Sequence, residues 1–146
     1  MRRLDQIFRR CLTCERGIAA LEFILIAPAL LMIAFAIIVY SFYFSVDMGL
    51  RHAASEGARA ATAGLGSVER ANLARARAQA VVQNYGSLLM AGGAGPVITT
   101  VPDGVSTFKV EVSYNMANSP IMRFAGFLPL PSPTITATAV VTNGGY

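Results

Sequence analysis

The sequence predicts an α+β protein: a long N-terminal membrane-spanning helix that continues outward into a small module of one helix and an antiparallel sheet. Three observations predict it. Residues 23–46 carry no charge, apolar positions from Val68 to Leu89 recur at three- and four-residue steps, and after Pro96 the period drops to two. These patterns mark a spanning helix, an amphipathic helix and half-buried strands respectively.

Composition points the same way. The 146 residues are 54% hydrophobic and only 14% charged, with a mean hydropathy of +0.52. Soluble domains average about 45–50% apolar and about 25% charged residues, so a simple water-soluble globule is disfavoured. The formal charge is +4, from 12 Lys+Arg and 8 Asp+Glu. Arg2, Arg3, Arg9, Arg10 and Arg16 all precede the apolar run, offset there only by Asp5 and Glu15. The other basic residues are scattered and nearly matched by acids, so nucleic acid is not expected as a partner.

Residues 1–17 therefore read as a basic leader and residues 18–46 as the spanning helix. Its uncharged part alone reaches roughly 36 Å at about 1.5 Å per residue, enough to cross a hydrocarbon core of about 30 Å. The arginines before it, with only Arg51 closely after, place the N-terminus in the cytoplasm and residues 47–146 outside it. A cleaved secretory signal has an apolar region of about 7–15 residues. Here the run is longer and passes into Tyr40, Phe42, Tyr43 and Phe44, which read as an interfacial aromatic belt. A lipoprotein would carry its cysteine after the apolar run, whereas Cys11 and Cys14 precede it. Cys11-Leu12-Thr13-Cys14 has redox or metal spacing. It lacks further ligands, since the single His52 is placed across the membrane, and it lacks a βαβ context. No metal and no cofactor are expected, and the body of the chain has no disulfide.

From Asp47 to Ala63 the chain is rich in Ala, Arg and Glu, so the spanning helix is expected to continue until Gly64 and Gly66 stop it. Ser67 is placed to cap a second helix, with Glu69 in its first turn. Val68, Ala71, Ala74, Ala78, Val81, Val82, Tyr85 and Leu89 form its expected buried stripe, and the run from Ala91 to Pro96 ends it. Pro96–Val101 is a short β-branched run, followed by turn chemistry at Pro102-Asp103-Gly104. Phe108–Tyr114 alternates strictly, and Thr134–Val141 alternates with Ile135, Ala137, Ala139 and Val141 on one side. Asn115–Pro133 between them reads as a long loop with an apolar middle.

Other groupings invite a chemical reading that the sequence does not sustain. His52 and Glu56 lie at i, i+4 without a nucleophile or second base, which makes them a helix-surface pair. Arg70, Arg75 and Arg77 read as a solvated basic edge. The glycines of 92–95 lack the Gly-Lys-Ser/Thr of a phosphate loop and read as a flexible linker. No catalytic constellation is present, so the expected protein is not an enzyme.

The stretch Arg16-Gly17-Ile18-Ala19-Ala20-Leu21-Glu22-Phe23 is the most informative. A glycine closes the basic leader, and a single carboxylate follows five residues later inside an otherwise apolar helix. An ionisable group in a spanning segment costs about 2.5–3.5 kcal/mol at the helix centre and less near the edge. Taken alone, Glu22 is either a side chain snorkelling to the interface or a group with a task. Pro28 likewise either kinks the helix or is tolerated through membrane packing.

This arrangement resembles the type IV prepilin processing site, where a peptidase cuts a basic leader after Gly and the fifth residue of the mature chain is Glu. The chain as a whole is most similar to the TadE-like pseudopilins of tight-adherence (Flp) pilus systems. The residues that carry the similarity are 16–23 with Ala27-Pro28, the post-membrane Ala53-Ala54-Ser55-Glu56-Gly57-Ala58-Arg59-Ala60-Ala61, and the closing Ile135-Thr136-Ala137-Thr138-Ala139-Val140. The resemblance implies cleavage between Gly17 and Ile18 by an aspartic prepilin peptidase, with Glu22, followed by the aromatic Phe23, neutralising the new α-amine during assembly. It also implies a pilin-like outer module, a bacterial inner-membrane location and incorporation in a pilus or its basal complex. The partners it implies are the lipid bilayer, the peptidase, other pilins or pseudopilins, and pilus assembly platform proteins. Phe23 replaces the Tyr often found in Flp major pilins, and the chain is much longer than those, which favours a minor component. Two rival readings are an unprocessed single-pass anchor with an envelope partner, and a subunit whose outer domain binds an external ligand.

Overall fold

In the computed structural model, residues 15–102 and 107–142 are described, with side chains from Ala19 onward. The leader residues before Glu15, with both cysteines, and Asp103-Gly104 of the expected turn lie outside the described residues. The chain divides into two compact units, Met1–Tyr40 and Ser41–Tyr146.

Helix α1, Glu15–Ala61, runs 47 residues without interruption. Its first part belongs to the first unit and consists almost wholly of exposed apolar side chains. The helix continues through Pro28, whose missing N–H leaves the carbonyl of Ile24 without its usual i+4 partner. From Asp47 onward α1 carries charge again and stays helical to Ala61, as its composition predicts. A turn at Thr62–Gly64 closes it, with Thr62, Ala63 and Gly64 N–H groups donating to the carbonyls of Arg59, Ala60 and Ala61.

In the second unit, α2 (Ser67–Asn84) folds back antiparallel to the outer part of α1. Close approaches fix this direction: Gly57 faces Ala74 and Ala78, while Gly49 faces the ring of Tyr85. Ser67 is not the N-cap. Gly66 holds that position in extended conformation, with no side-chain cap. Glu69 instead reaches back to accept the Leu65 N–H at 3.0 Å, and Arg70 Nε donates to the Gly64 carbonyl at 2.8 Å. The Leu65 donor and the Gly64 acceptor of the interhelix turn are thus met from within α2, while the Thr62 hydroxyl donates to the Arg59 carbonyl at 2.7 Å.

Most of the expected stripe is buried, namely Ala74, Ala78, Val81, Val82 and Leu89, with Ala71 and Tyr85 half-buried. Val68 departs from it and is 74% exposed. With Ala74 opposite Gly57, a residue six positions earlier lies beyond the end of α1 and has nothing to pack on. The helix also ends sooner than the run 91–96: Gly86 at φ 49 breaks it, and Gly86–Met90 continues as a 3-10 turn that still buries Leu89. A side chain at that left-handed φ would be strained, which is why the break falls on a glycine.

Three antiparallel strands follow in the order β1-β2-β3: β1 Val97–Pro102, β2 Thr107–Asn115 and β3 Thr134–Thr142. In β2 the alternation predicted from sequence is complete, Phe108, Val110, Val112 and Tyr114 being buried and their neighbours half-buried. The register sets Val141, Ala139, Ala137 and Ile135 of β3 opposite them, and Ile98 of β1 opposite Val112. The core joins this sheet face to Val46, Leu50, Ala53, Ala54, Ala58 and Ala61 of α1 and to the α2 stripe. Full burial of a side chain such as Leu50, Leu89 or Phe108 stabilises the module by about 1.5–3 kcal/mol each. The connection 116–133 is not a plain loop, since Pro120–Phe124 forms a second 3-10 turn and Met116 and Leu128 are buried. The observed layout is α+β, a long apolar helix leading into a helical hairpin on one face of a three-stranded sheet.

Candidate processing and assembly segment

The bond between Gly17 and Ile18 lies near the start of the described part of α1, Glu15–Ala61. Glu22 follows Ile18 at i+4, one turn on and on the same face. Its side chain is exposed, and no ion pair among the described residues reaches it. Around it lie Leu21, Phe23, Ile24 and Leu25, all exposed, Phe23 by 70% and Leu25 by 82%. The structure thus places Glu22 and Phe23 on an apolar helix surface that no described side chain covers. Among the described residues no second charged side chain is brought to them.

What surrounds these residues is decisive for their environment. Apolar exposure continues through Leu30, Leu31, Met32, Ile33, Ile37 and Ile38, and these positions go around the helix rather than along one stripe. A soluble helix hides one face and wets the other, whereas one apolar on every side belongs in lipid or inside an assembly. The apolar window of α1 is only 6% buried within the protein, and this is its one candidate membrane span among the described residues.

The polar groups of the outer module serve the fold. His52 and Glu56 act on each other through charge, the smallest of the causes that lower the Glu56 pKa, and each makes its hydrogen bond elsewhere. The His52 Nδ1 lies 3.2 Å from the Tyr85 hydroxyl, and the two rings meet edge to face. Glu56 instead accepts from Arg77 of α2 at 2.9 Å and lies 3.5 Å from Arg59. Nor is the arginine edge simply solvated: Arg75 donates to the Thr100 hydroxyl of β1 at 3.1 Å, and Arg70 and Arg77 are engaged as described. Gly92 is not a free linker either, because its N–H donates to the buried Tyr114 hydroxyl at 2.7 Å. A buried phenol needs such a partner, and it fixes the chain between α2 and β1.

Hydrogen bonding to Arg77 holds the Glu56 carboxyl below its ordinary value of 4.5. A carboxyl with a depressed folded-state pKa stabilises the fold above its unfolded value, and that contribution is lost as pH falls through the folded one. Melting of the full chain in detergent should therefore show an acid limb below about pH 4.5 that Glu56→Gln flattens. An unchanged limb would mean that the ion pair does not couple the helices.

An open cleft of about 380 Å³ lies beside β1, with Arg75, Gln79, Gln83, Met90 and Ile98 among its lining residues. It brings together no nucleophile and base, and among the described residues no three His, Cys, Asp or Glu converge as a metal site.

The family model described as TadE-like protein matches residues 17–59. The match begins at Gly17 and ends in the alanine-rich part of α1. No curated protein and no solved structure matches the chain. Over residues 17–59 the chain is similar to TadE-like proteins.

Proposed function

We propose that this TadE-like chain is a pseudopilin, a minor pilin-like subunit that takes part in assembly of a tight-adherence (Flp, type IVb) pilus. Residues 1–17 are its leader, removed by a prepilin peptidase between Gly17 and Ile18. Residues 18–46 span the inner membrane with the N-terminus cytoplasmic, and residues 47–146 form the extracytoplasmic module. The protein acts by helix packing and protein–protein contact, without catalysis. Its partners are the bilayer, the peptidase, other pilins or pseudopilins and the assembly platform.

One observation carries this reading: the part of α1 that is apolar on every side, residues 18–46, bears a single carboxylate, Glu22, one turn from the residue that cleavage would make the N-terminus. A plain anchor has no use for that charge, which costs insertion energy. The cationic α-amine created at Ile18 gives it a counter-ion, within one chain or between neighbours. The family match over residues 17–59 supports the same reading.

The intact mass of the protein, purified from membranes of its own host, tests the processing step. The expected result is loss of residues 1–17 with Ile18 as the new terminus, and retention of the full-length mass in a Gly17→Leu variant. A full-length wild-type mass in cells with an active prepilin peptidase would leave a plain single-pass anchor.

A further inference from the structure

The loop between β2 and β3 leaves and re-enters the sheet at Asn115 and Thr134, which are paired. This is the end of the module at which α1 enters. Going along the hairpin from Gly57, opposite Ala74 and Ala78, to Gly49, opposite Tyr85, leads toward the first residues of the unit. The segment after Tyr85 then brings Gly92 to Tyr114, next to the strand end. On α1 the same end carries Phe42, Tyr43 and the exposed Phe44, just before Asp47, the first charge after the apolar run.

The loop is firmly built. Successive turn bonds run from Ser119 N–H to the Met116 carbonyl, Met122 to Ser119, Ala125 to Met122, and both Phe127 and Leu128 to Phe124. Ile121 and Met122 pack against the core and Leu128 is buried. Yet this ordered segment leaves Phe127 79% exposed. Arg123, also exposed, is its only charged residue, and residues 112–146 contain no Asp or Glu. An ordered loop that leaves an aromatic ring exposed, with one exposed cation in the same loop and no acid in it, fits the headgroup level of an anionic bilayer.

We propose that the 120–131 loop is a second membrane contact of the outer module. Phe127 inserts at the headgroup–acyl boundary and Arg123 lies against anionic headgroups, so that the module rests on the membrane surface. This inference depends on the reading of α1 as a membrane span, and its test separates the two.

The chain contains no tryptophan, so a single introduced one reports on its own site. The full chain is placed in nanodiscs with lipids brominated both high and deep on the acyl chain, as Phe127→Trp, as Ile33→Trp within the apolar run, and as Val101→Trp at the far end of β1. Expected are strong quenching of Ile33→Trp, and quenching of Phe127→Trp several-fold above that of Val101→Trp. The Phe127→Trp signal should rise with anionic lipid, and Arg123→Gln should abolish that rise. If Ile33→Trp is quenched but Phe127→Trp behaves like Val101→Trp, the loop faces water or protein and the second contact is overturned while the span stands. If Ile33→Trp itself is not quenched, the spanning reading fails and the loop contact falls with it. A blue-shifted but unquenched Phe127→Trp also overturns the proposal, because the ring is then covered by protein.

Discussion

Gly57→Leu should unfold the outer module while leaving α1 able to enter the membrane. A Cβ at Gly57 would stand 2.9 Å from the Ala74 carbonyl oxygen, 3.1 Å from Ala78 Cβ and 3.4 Å from Val110 Cγ1. The first of these is backbone, which cannot rotate out of the way. One added atom thus strikes α2 and already touches β2, so the further atoms of a leucine have nowhere to go between them. A leucine side chain has no room unless the hairpin opens, and overpacking of a tight core costs about 1–3 kcal/mol, more where backbone must shift. Against a domain stability of about 5–15 kcal/mol, a small module is then brought near or past its threshold. Thermal melting and limited proteolysis in detergent should show a large loss of stability, with membrane association kept. Gly66→Ala is the control: it has open space around the new Cβ and an extended backbone that alanine accepts, so its effect should stay within about 0.5 kcal/mol. Wild-type melting of Gly57→Leu would mean that the helices are not held this close.

The same position shows what sequence alone conveys and what it does not. Strict alternation in Phe108–Tyr114 can be read directly because a strand face is set by parity, and every one of those residues falls where parity puts it. The span is legible because 24 uncharged residues have few other uses. The packing face of the outer part of α1 was also present in the sequence, as Val46, Leu50, Ala53, Gly57, Ala58 and Ala61 at three- and four-residue steps. It is easily passed over because its members are small, and smallness signals contact only once a partner helix is known to lie close. Misassignments fall where a long-range partner decides. Ser67 has a capping side chain but Glu69 and Arg70 already satisfy the turn, and Val68 fits the period but lies past the end of α1. Glu56 belongs to Arg77, 21 positions away, rather than to the helical neighbour His52. At the candidate site the types and spacing of Gly17, Ile18, Glu22 and Phe23 could be read in full. Their setting could not, because unburied apolar surface on all sides is a property of the folded chain.

Glu22→Ala should leave insertion and processing intact and sharply reduce assembly. The substitution removes a charge from an apolar helix surface, so membrane association should hold or improve, by less than the about 2.5–3.5 kcal/mol that applies at the bilayer centre. In the processing proposed above, cleavage depends on the leader and Gly17, so Ile18 should still appear as the mature terminus. What is lost is the counter-ion of the new α-amine. Two unit charges about 4 Å apart attract by about 4 kcal/mol at an effective dielectric of 20, and by more where lipid excludes water. Even a third of that, about 1.4 kcal/mol, is a tenfold loss per subunit contact. Pilus incorporation, or recovery of the subunit with its partners after crosslinking, should therefore fall at least about tenfold. Glu22→Gln separates charge from shape: it keeps the length and one acceptor oxygen but not the charge, and should behave like Ala. Glu22→Asp keeps the charge on a side chain one methylene shorter and should recover part of the function. Full assembly by both Ala and Gln variants, with Ile18 confirmed as the terminus, would reduce Glu22 to a side chain snorkelling at the interface. Loss with Gln and partial recovery with Asp would tie assembly to the charge itself. Hydrophobic packing along α1 then supplies the adhesion between subunits, and the ion pair at its start sets their axial register, because an uncompensated amine or carboxylate one turn out of place costs more than the packing regained.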